Sequence, residues 1–181
     1  MKQQFIIKEN NPKLLIFFAG WACDETPFKH YRPKGSDYMI CYDYRNLDFD
    51  HSIFKQYKRV NVVAWSMGVW AASMVLQDMD LPICERVALN GTVTPVDDLK
   101  GIPQQVFEGT LEGLNEGTLE KFIRRMCLKK ENLETFLSKR PQRAVEELQE
   151  ELRRIGEQVK SCAVPSFAWE RAVIGLSLIH I

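Results

Sequence analysis

The sequence predicts an α/β fold, a mostly parallel sheet with flanking helices and an α-helical insertion before its last strand. Three observations predict it. Short apolar runs recur at 5–7, 14–18, 38–42, 60–64, 86–89 and 171–174, each of strand length and reading as a buried strand. A helical stretch rich in Ala, Met and Leu follows the run at 60–64 without a break, and strand–helix–strand alternation implies parallel pairing. From Pro95 onward the pattern becomes long, charged and helical, until strand-like sequence returns at Arg171.

The elements follow in order. The first eleven residues gather only Phe5, Ile6 and Ile7 among charged and amide side chains, which suits a strand and not a signal peptide. The run at 14–18 ends in Ala19-Gly20-Trp21 and turns polar over 23–27. The run at 38–42 meets Asp43-Tyr44-Arg45, which either lines a site or closes a loop. The run at 60–64 leads through Trp65-Ser66-Met67 into a helix over 68–77, with Trp65 and Trp70 expected in the core. In the charged half, Leu119, Phe122, Ile123, Met126 and Cys127 repeat at i, i+3, i+4, i+7, i+8, one buried helical stripe. Val145, Leu148, Leu152 and Ile155 form a second, with Glu150 able to meet Arg154 one turn on and Gly156 as the expected stop. Residues 1–175 read as a single domain, with the helical lid inserted over about 95–160, where it would cover the sheet's C-terminal edge.

Composition narrows the function classes. In 181 residues, 24 Lys+Arg balance 24 Asp+Glu and 45% are hydrophobic, which fits one well-cored domain and excludes disorder. A net charge of zero supplies no overall field to gather nucleic acid or anionic membrane. Cys23, Cys41, Cys84, Cys127 and Cys162 are odd in number, scattered and without a C-x-x-C pair, against both a disulfide framework and a zinc site. The strongest apolar stretch, 14–23, is far too short for a membrane span. A cytoplasmic location with reduced thiols is expected.

The chemistry concentrates at Val62-Val63-Ala64-Trp65-Ser66-Met67-Gly68, a strand, a serine and a helix start in the A-x-S-x-G form of a nucleophile elbow. Such a turn must be sharp to lift the hydroxyl above the sheet, and small residues two before and two after it, Ala64 and Gly68, relieve the crowding. The helix then starts at the nucleophile, so the Met67 N–H points where an oxyanion would form and the helix dipole favours the charge. The strand exit at Gly20-Trp21 is where α/β-hydrolases place the second oxyanion donor, here the Trp21 N–H. A second reading stays open: a serine that ends a strand and caps the next helix.

Taken together, Phe18-Ala19-Gly20-Trp21, Asp24-Glu25-Thr26-Pro27-Phe28, Ala64-Trp65-Ser66-Met67-Gly68-Val69-Trp70, Asn90-Gly91-Thr92, Gly101-Ile102-Pro103 and Phe122-Ile123-Arg124-Arg125-Met126 resemble the pimeloyl-acyl-carrier-protein methyl ester esterases of the BioG type, in biotin synthesis. The resemblance implies an α/β-hydrolase fold with Ser66 as nucleophile and the Met67 and Trp21 N–H groups as oxyanion donors. It implies acyl transfer to Ser66, methanol release and hydrolysis by water, with no metal or organic cofactor. The implied partner is an acyl carrier protein bearing the pimeloyl methyl ester, docked on a basic lid face of Lys121, Arg124 and Arg125, extended by Lys129 and Lys130; a solvated charged face is the other reading.

The resemblance also exposes a gap. The family's acid is expected after the strand at 171–174 and its histidine after a further strand, but the sequence continues only as 175–181. His30 and His51 precede Ser66 in loops, and His180 follows the last strand too closely to be assigned. Residues 176–181 read as a tail foreign to the family, with final strands and a helix missing, so the chain as given is expected to be inactive. Asp97 is an alternative acid, although Asp97 and Asp98 suit caps better. A general short-chain esterase or thioesterase and a noncatalytic acyl-carrier-binding module are the alternative functions.

Overall fold

The computed structural model describes residues 1–127 and 130–175; Lys129 and His180, named above, lie outside them. Each apolar run forms a strand: β1 (Lys2–Ile7), β2 (Lys13–Phe18), β3 (Asp37–Tyr42), β4 (Arg59–Trp65), β5 (Ile83–Leu89) and β6 (Arg171–Val173). They make one sheet in the order β1-β3-β2-β4-β5-β6, parallel throughout except that β1 runs antiparallel to β3. The central strands justify the apolar runs, since all six residues of β3 are buried and β2 and β4 alternate. The expectation of burial fails at the edges. β1 is only half-buried, and all three residues of β6 are exposed, because β6 is a short edge strand paired only with β5 among the described strands.

Helix α1 (Met67–Leu76) follows β4 and is apolar almost all round, as a helix enclosed in the core must be. Between β5 and β6 run α2 (Gln104–Glu112), α3 (Glu116–Met126), α4 (Lys130–Leu137) and α5 (Val145–Ser161). The two expected stripes fall on α3 and α5, and Glu150 binds Arg154 at 2.9 Å as the spacing predicts. Two details differ. Cys127 lies just past the end of α3, and Gly156 does not stop α5, which continues five residues beyond it. Gly156 has another role: the Phe107 ring of α2 lies where its Cβ would be, 2.9 Å away at the nearest atom. Leu119, Ile123, Leu148, Leu152 and Ile155 join the same buried cluster as Ile16, Val62 and Trp70, so these helices share the core of the sheet.

Buried Asp37, at the start of β3, anchors the β1–β2 connection. Its carboxylate accepts Glu9 N–H (3.0 Å), Asn11 N–H (3.2 Å), the Asn11 amide (2.8 Å) and the Tyr57 hydroxyl (2.8 Å). Burial alone would raise its pKa, but these donors outweigh burial and hold it below the usual carboxylate range. A group so lowered contributes stability that is present above the ordinary carboxylate pKa and is lost as pH falls through the folded value. Asp37→Ala should cost about 2–4 kcal/mol and flatten the acid limb of Tm against pH, both readable by thermal melts.

Candidate active site

The ends of β2, β4 and β5 meet at one edge of the sheet, and Ser66 stands where β4 turns into α1. Its backbone, φ 55° and ψ −125°, lies in a region that side chains seldom occupy, and its hydroxyl makes no capping hydrogen bond to α1. A helix-capping serine would have an extended backbone and spend its oxygen on the helix. Ser66 does neither, so the capping reading fails.

Close approach fixes the turn from three sides. A Cβ on Gly68 would overlap the Phe18 carbonyl oxygen and sit 2.6 Å from that of Ala19, so α1 begins directly against the end of β2. A Cβ on Gly91 would overlap the carbonyl oxygen of Ser66 itself, and one on Gly20 would lie 3.3 Å from the Ser66 Cβ. The crowding that Gly68 relieves therefore comes from the neighbouring strand. Ser66 N–H donates to Leu89 O (2.9 Å), and Asn90 N–H to Val173 O (2.9 Å), tying the elbow to β5 and β5 to β6.

Met67 is the first residue of α1, so its N–H has no acceptor within the helix. Among the described residues, Trp21 N–H makes no backbone hydrogen bond outside the strands and helices, and Ala22 holds the turn with φ 67°. Both residues line a small cavity with Ser66 at its wall. Its other walls are mostly apolar: Trp65 from β4, Val106 and Phe107 from α2, Phe122 and Met126 from α3, Leu152 from α5. Trp70 is core as expected, but Trp65 is half-buried and faces this cavity. Phe122 and Met126 are half-buried for the same reason.

The remaining sequence candidates fall elsewhere. Asp97 accepts Leu99 N–H (2.9 Å) and Lys100 N–H (2.8 Å), which hold its carboxyl below the usual range, and Asp98 accepts Gln104 N–H at the start of α2. Both act as caps. His51 Nε2 meets Val75 O at 2.8 Å and His30 Nε2 meets Lys139 Nζ at 3.2 Å. No hydrogen bond joins an imidazole to Ser66 among the described residues. Lys121, Arg124 and Arg125 are exposed on α3 opposite its buried stripe, with Arg124 bound to Glu120 at 2.6 Å. Asp43-Tyr44-Arg45 does not line the cavity; it closes onto Arg143, Glu147 and Glu151, a cluster that is buried at the side chains of Asp43, Arg143 and Glu151 and that the sequence reading did not single out. The signal for it was present, since Glu151 falls between Leu148 and Leu152 on the apolar stripe of α5.

Among the described residues, no group of His, Cys, Asp and Glu has the arrangement of a metal site, and no helix is long and apolar enough to cross a membrane.

Comparison with known proteins places this geometry. The chain is 55% identical over 163 residues to a malonyl-[acyl-carrier protein] O-methyltransferase of Bacteroides fragilis (strain 638R), covering 90% of this chain and 33% of that protein. It is 44% identical over 142 residues to an uncharacterized protein of Haemophilus influenzae, covering 77% of this chain and 63% of the other. The chain thus spans less than two thirds of the length of either relative. The crystal structure of BioG from Haemophilus influenzae superposes with a TM-score of 0.84 at 38% identity, over 95% of this chain and 79% of that one. A lipase-esterase related protein of Clostridium acetobutylicum superposes with a TM-score of 0.59 at 12% identity, over 85% of this chain and 70% of that one, a likeness of fold alone. The fold is that of the α/β-hydrolases. The profile of the family described as pimeloyl-ACP methyl esterase BioG matches residues 1–177, and with the superposed structure in agreement the chain belongs to the BioG family.

Proposed function

We propose that the chain is a serine carboxylesterase unit that hydrolyses the methyl ester of a pimeloyl chain carried on acyl carrier protein, in biotin precursor synthesis. The observation that carries this reading is the backbone of Ser66. A residue held at φ 55° with an uncommitted hydroxyl, at the wall of an apolar cavity, is placed to attack a carbonyl that enters there. The Ser66 oxygen adds to the ester carbon, and the resulting oxyanion lies between the N–H groups of Met67 and Trp21. The methoxy group departs as methanol, taking up the equivalent of the proton given up by the Ser66 hydroxyl, and water then hydrolyses the acyl-serine, restoring the hydroxyl and releasing the carboxylate. The cavity walls suit the methylene chain of the acyl group.

A methyltransferase name attaches to the Bacteroides fragilis relative, of which this chain matches one third. Methyl transfer to a carboxylate needs a bound methyl donor and no serine nucleophile, so the elbow favours hydrolysis. The two are separated by incubating the chain with carrier-bound pimeloyl methyl ester, and separately with malonyl-carrier and S-adenosylmethionine. Methanol release in the first supports the esterase; methyl gain in the second, with no methanol in the first, would overturn it.

The absence of an imidazole on Ser66 among the described residues favours a second reading, a module that binds the acyl carrier without turnover. In that case the carrier binds and Ser66 is never acylated. If only the base is lacking, added imidazole should accelerate methanol release from the wild-type chain and leave a Ser66→Ala variant unchanged.

Both readings use the basic face of α3. Reversing Lys121 and Arg125 to Glu should weaken carrier binding about tenfold at low salt, a difference that closes at high salt. Titration calorimetry at two ionic strengths reads it, and equal affinities at low salt would remove α3 from the docking surface.

A further inference from the structure

The loop that carries the Trp21 N–H, residues 19–24, is gripped from outside at four of its six residues. The Ala19 carbonyl accepts the Tyr44 hydroxyl (2.6 Å), and the Trp21 indole N–H donates to the Leu148 carbonyl of α5 (3.0 Å). The Cys23 carbonyl faces Arg143 Nη1 (3.4 Å), and the Asp24 carboxylate accepts Gln142 N–H (2.6 Å). Three of these four contacts come from one stretch, 142–148, more than a hundred residues away in sequence.

That stretch is itself fixed by a buried ion pair. Arg143 Nη1 lies 2.6 Å from Glu151 Oε2, and its Nη2 lies 3.3 Å from Asp43 Oδ1. The other Glu151 oxygen accepts Tyr44 N–H (2.8 Å), so one carboxylate holds both the arginine that meets Cys23 and the tyrosine that meets Ala19. Glu151 is fully buried. Burial of an ion pair is weak evidence for stability, since desolvation offsets much of the attraction, and such pairs are better attested as devices that fix a register.

We propose that Glu151 and Arg143 are positioning residues for the oxyanion loop: they seat the start of α5 against residues 19–24, and so set where the Trp21 N–H points. The inference rests on the esterase reading for its catalytic meaning. In its structural part it rests only on the contacts above. The substrate cavity and the oxyanion donor are then coupled, because Trp21 and Leu152 line the cavity while Leu148, one turn before Leu152, holds the Trp21 ring.

Two variants test it. Glu151→Gln removes the charge that holds Arg143 while keeping an oxygen for Tyr44 N–H. Trp21→Phe removes the indole donor to Leu148, together with the larger ring at the cavity wall, and keeps an aromatic ring against Phe122, which Trp21 meets edge-on at 5.3 Å. Hydrogen exchange should show amides 19–24 exchanging about tenfold faster or more in each variant, with β3 and β4 unchanged. A fluorophosphonate that labels Ser66 should show a maximal rate lowered by about tenfold to a hundredfold in each variant, with the half-saturating concentration unchanged in Glu151→Gln, which lies outside the cavity lining. Unchanged exchange at 19–24, or a rise shared in proportion by every segment, overturns the positioning role, as does labelling at the wild-type rate. A wild-type chain that does not label at Ser66 even with imidazole added instead overturns the esterase reading, and exchange alone then decides whether the ion pair orders the loop.

Discussion

Ser66→Gly is expected to give a chain that is more stable than the wild type and unreactive. Glycine occupies φ 55°, ψ −125° without a Cβ clash, so the strain held at the elbow is released. Against the greater freedom of glycine in the unfolded chain, the net gain should be about 1 kcal/mol, seen as a higher Tm. Fluorophosphonate labelling should fall by about a thousandfold or more, to background. Ser66→Ala should lose labelling equally without the gain in Tm, because its methyl group keeps the strain. The pair separates the two roles of this position: the side chain carries the chemistry, and the backbone carries the cost. Labelling that persists in Ser66→Ala would move the nucleophile elsewhere.

The second large effect is expected at Gly68. Its missing side chain lets the first turn of α1 rest on the carbonyls of Phe18 and Ala19, and both are backbone atoms that cannot rotate away. Gly68→Ala must push α1 from the end of β2, at a cost of about 3–5 kcal/mol and with loss of Ser66 presentation. Gly109, within α2, supplies the contrast, since nothing lies within 4 Å of its Cβ position. Gly109→Ala should stabilise by about 0.5–1 kcal/mol, as alanine generally does inside an unobstructed helix. Chemical denaturation of the two variants gives opposite signs if the glycines act as described, and a mild effect at Gly68 would mean that β2 yields.

The strands were legible because each apolar run exceeds what a surface segment carries, and the elbow was legible because its spacing is local. What the sequence did not disclose depends on distant partners. Whether Trp65 faces core or cavity is decided by α2 and α3, which leave a space against it. Gly156 resembles a helix stop until Phe107, 49 positions earlier, is seen to occupy the space above it. The exposure of β6 follows from its place at the end of the strand order, which no run of three residues encodes. Glu151 was the readable exception, a carboxylate on an apolar stripe that asks for a buried cation, although only the structure names Arg143.

The ties between residues 19–24 and 142–148 bear on how such proteins can diverge or be recombined. Helical insertions over a common sheet are natural units for grafting from one relative to another. Here the graft has an obligatory companion: a donor's helices moved without Trp21, Asp24 and Asp43-Tyr44-Arg45 would arrive without their anchors. A chimera should retain a formed site only when these two stretches, remote along the chain, are inherited together.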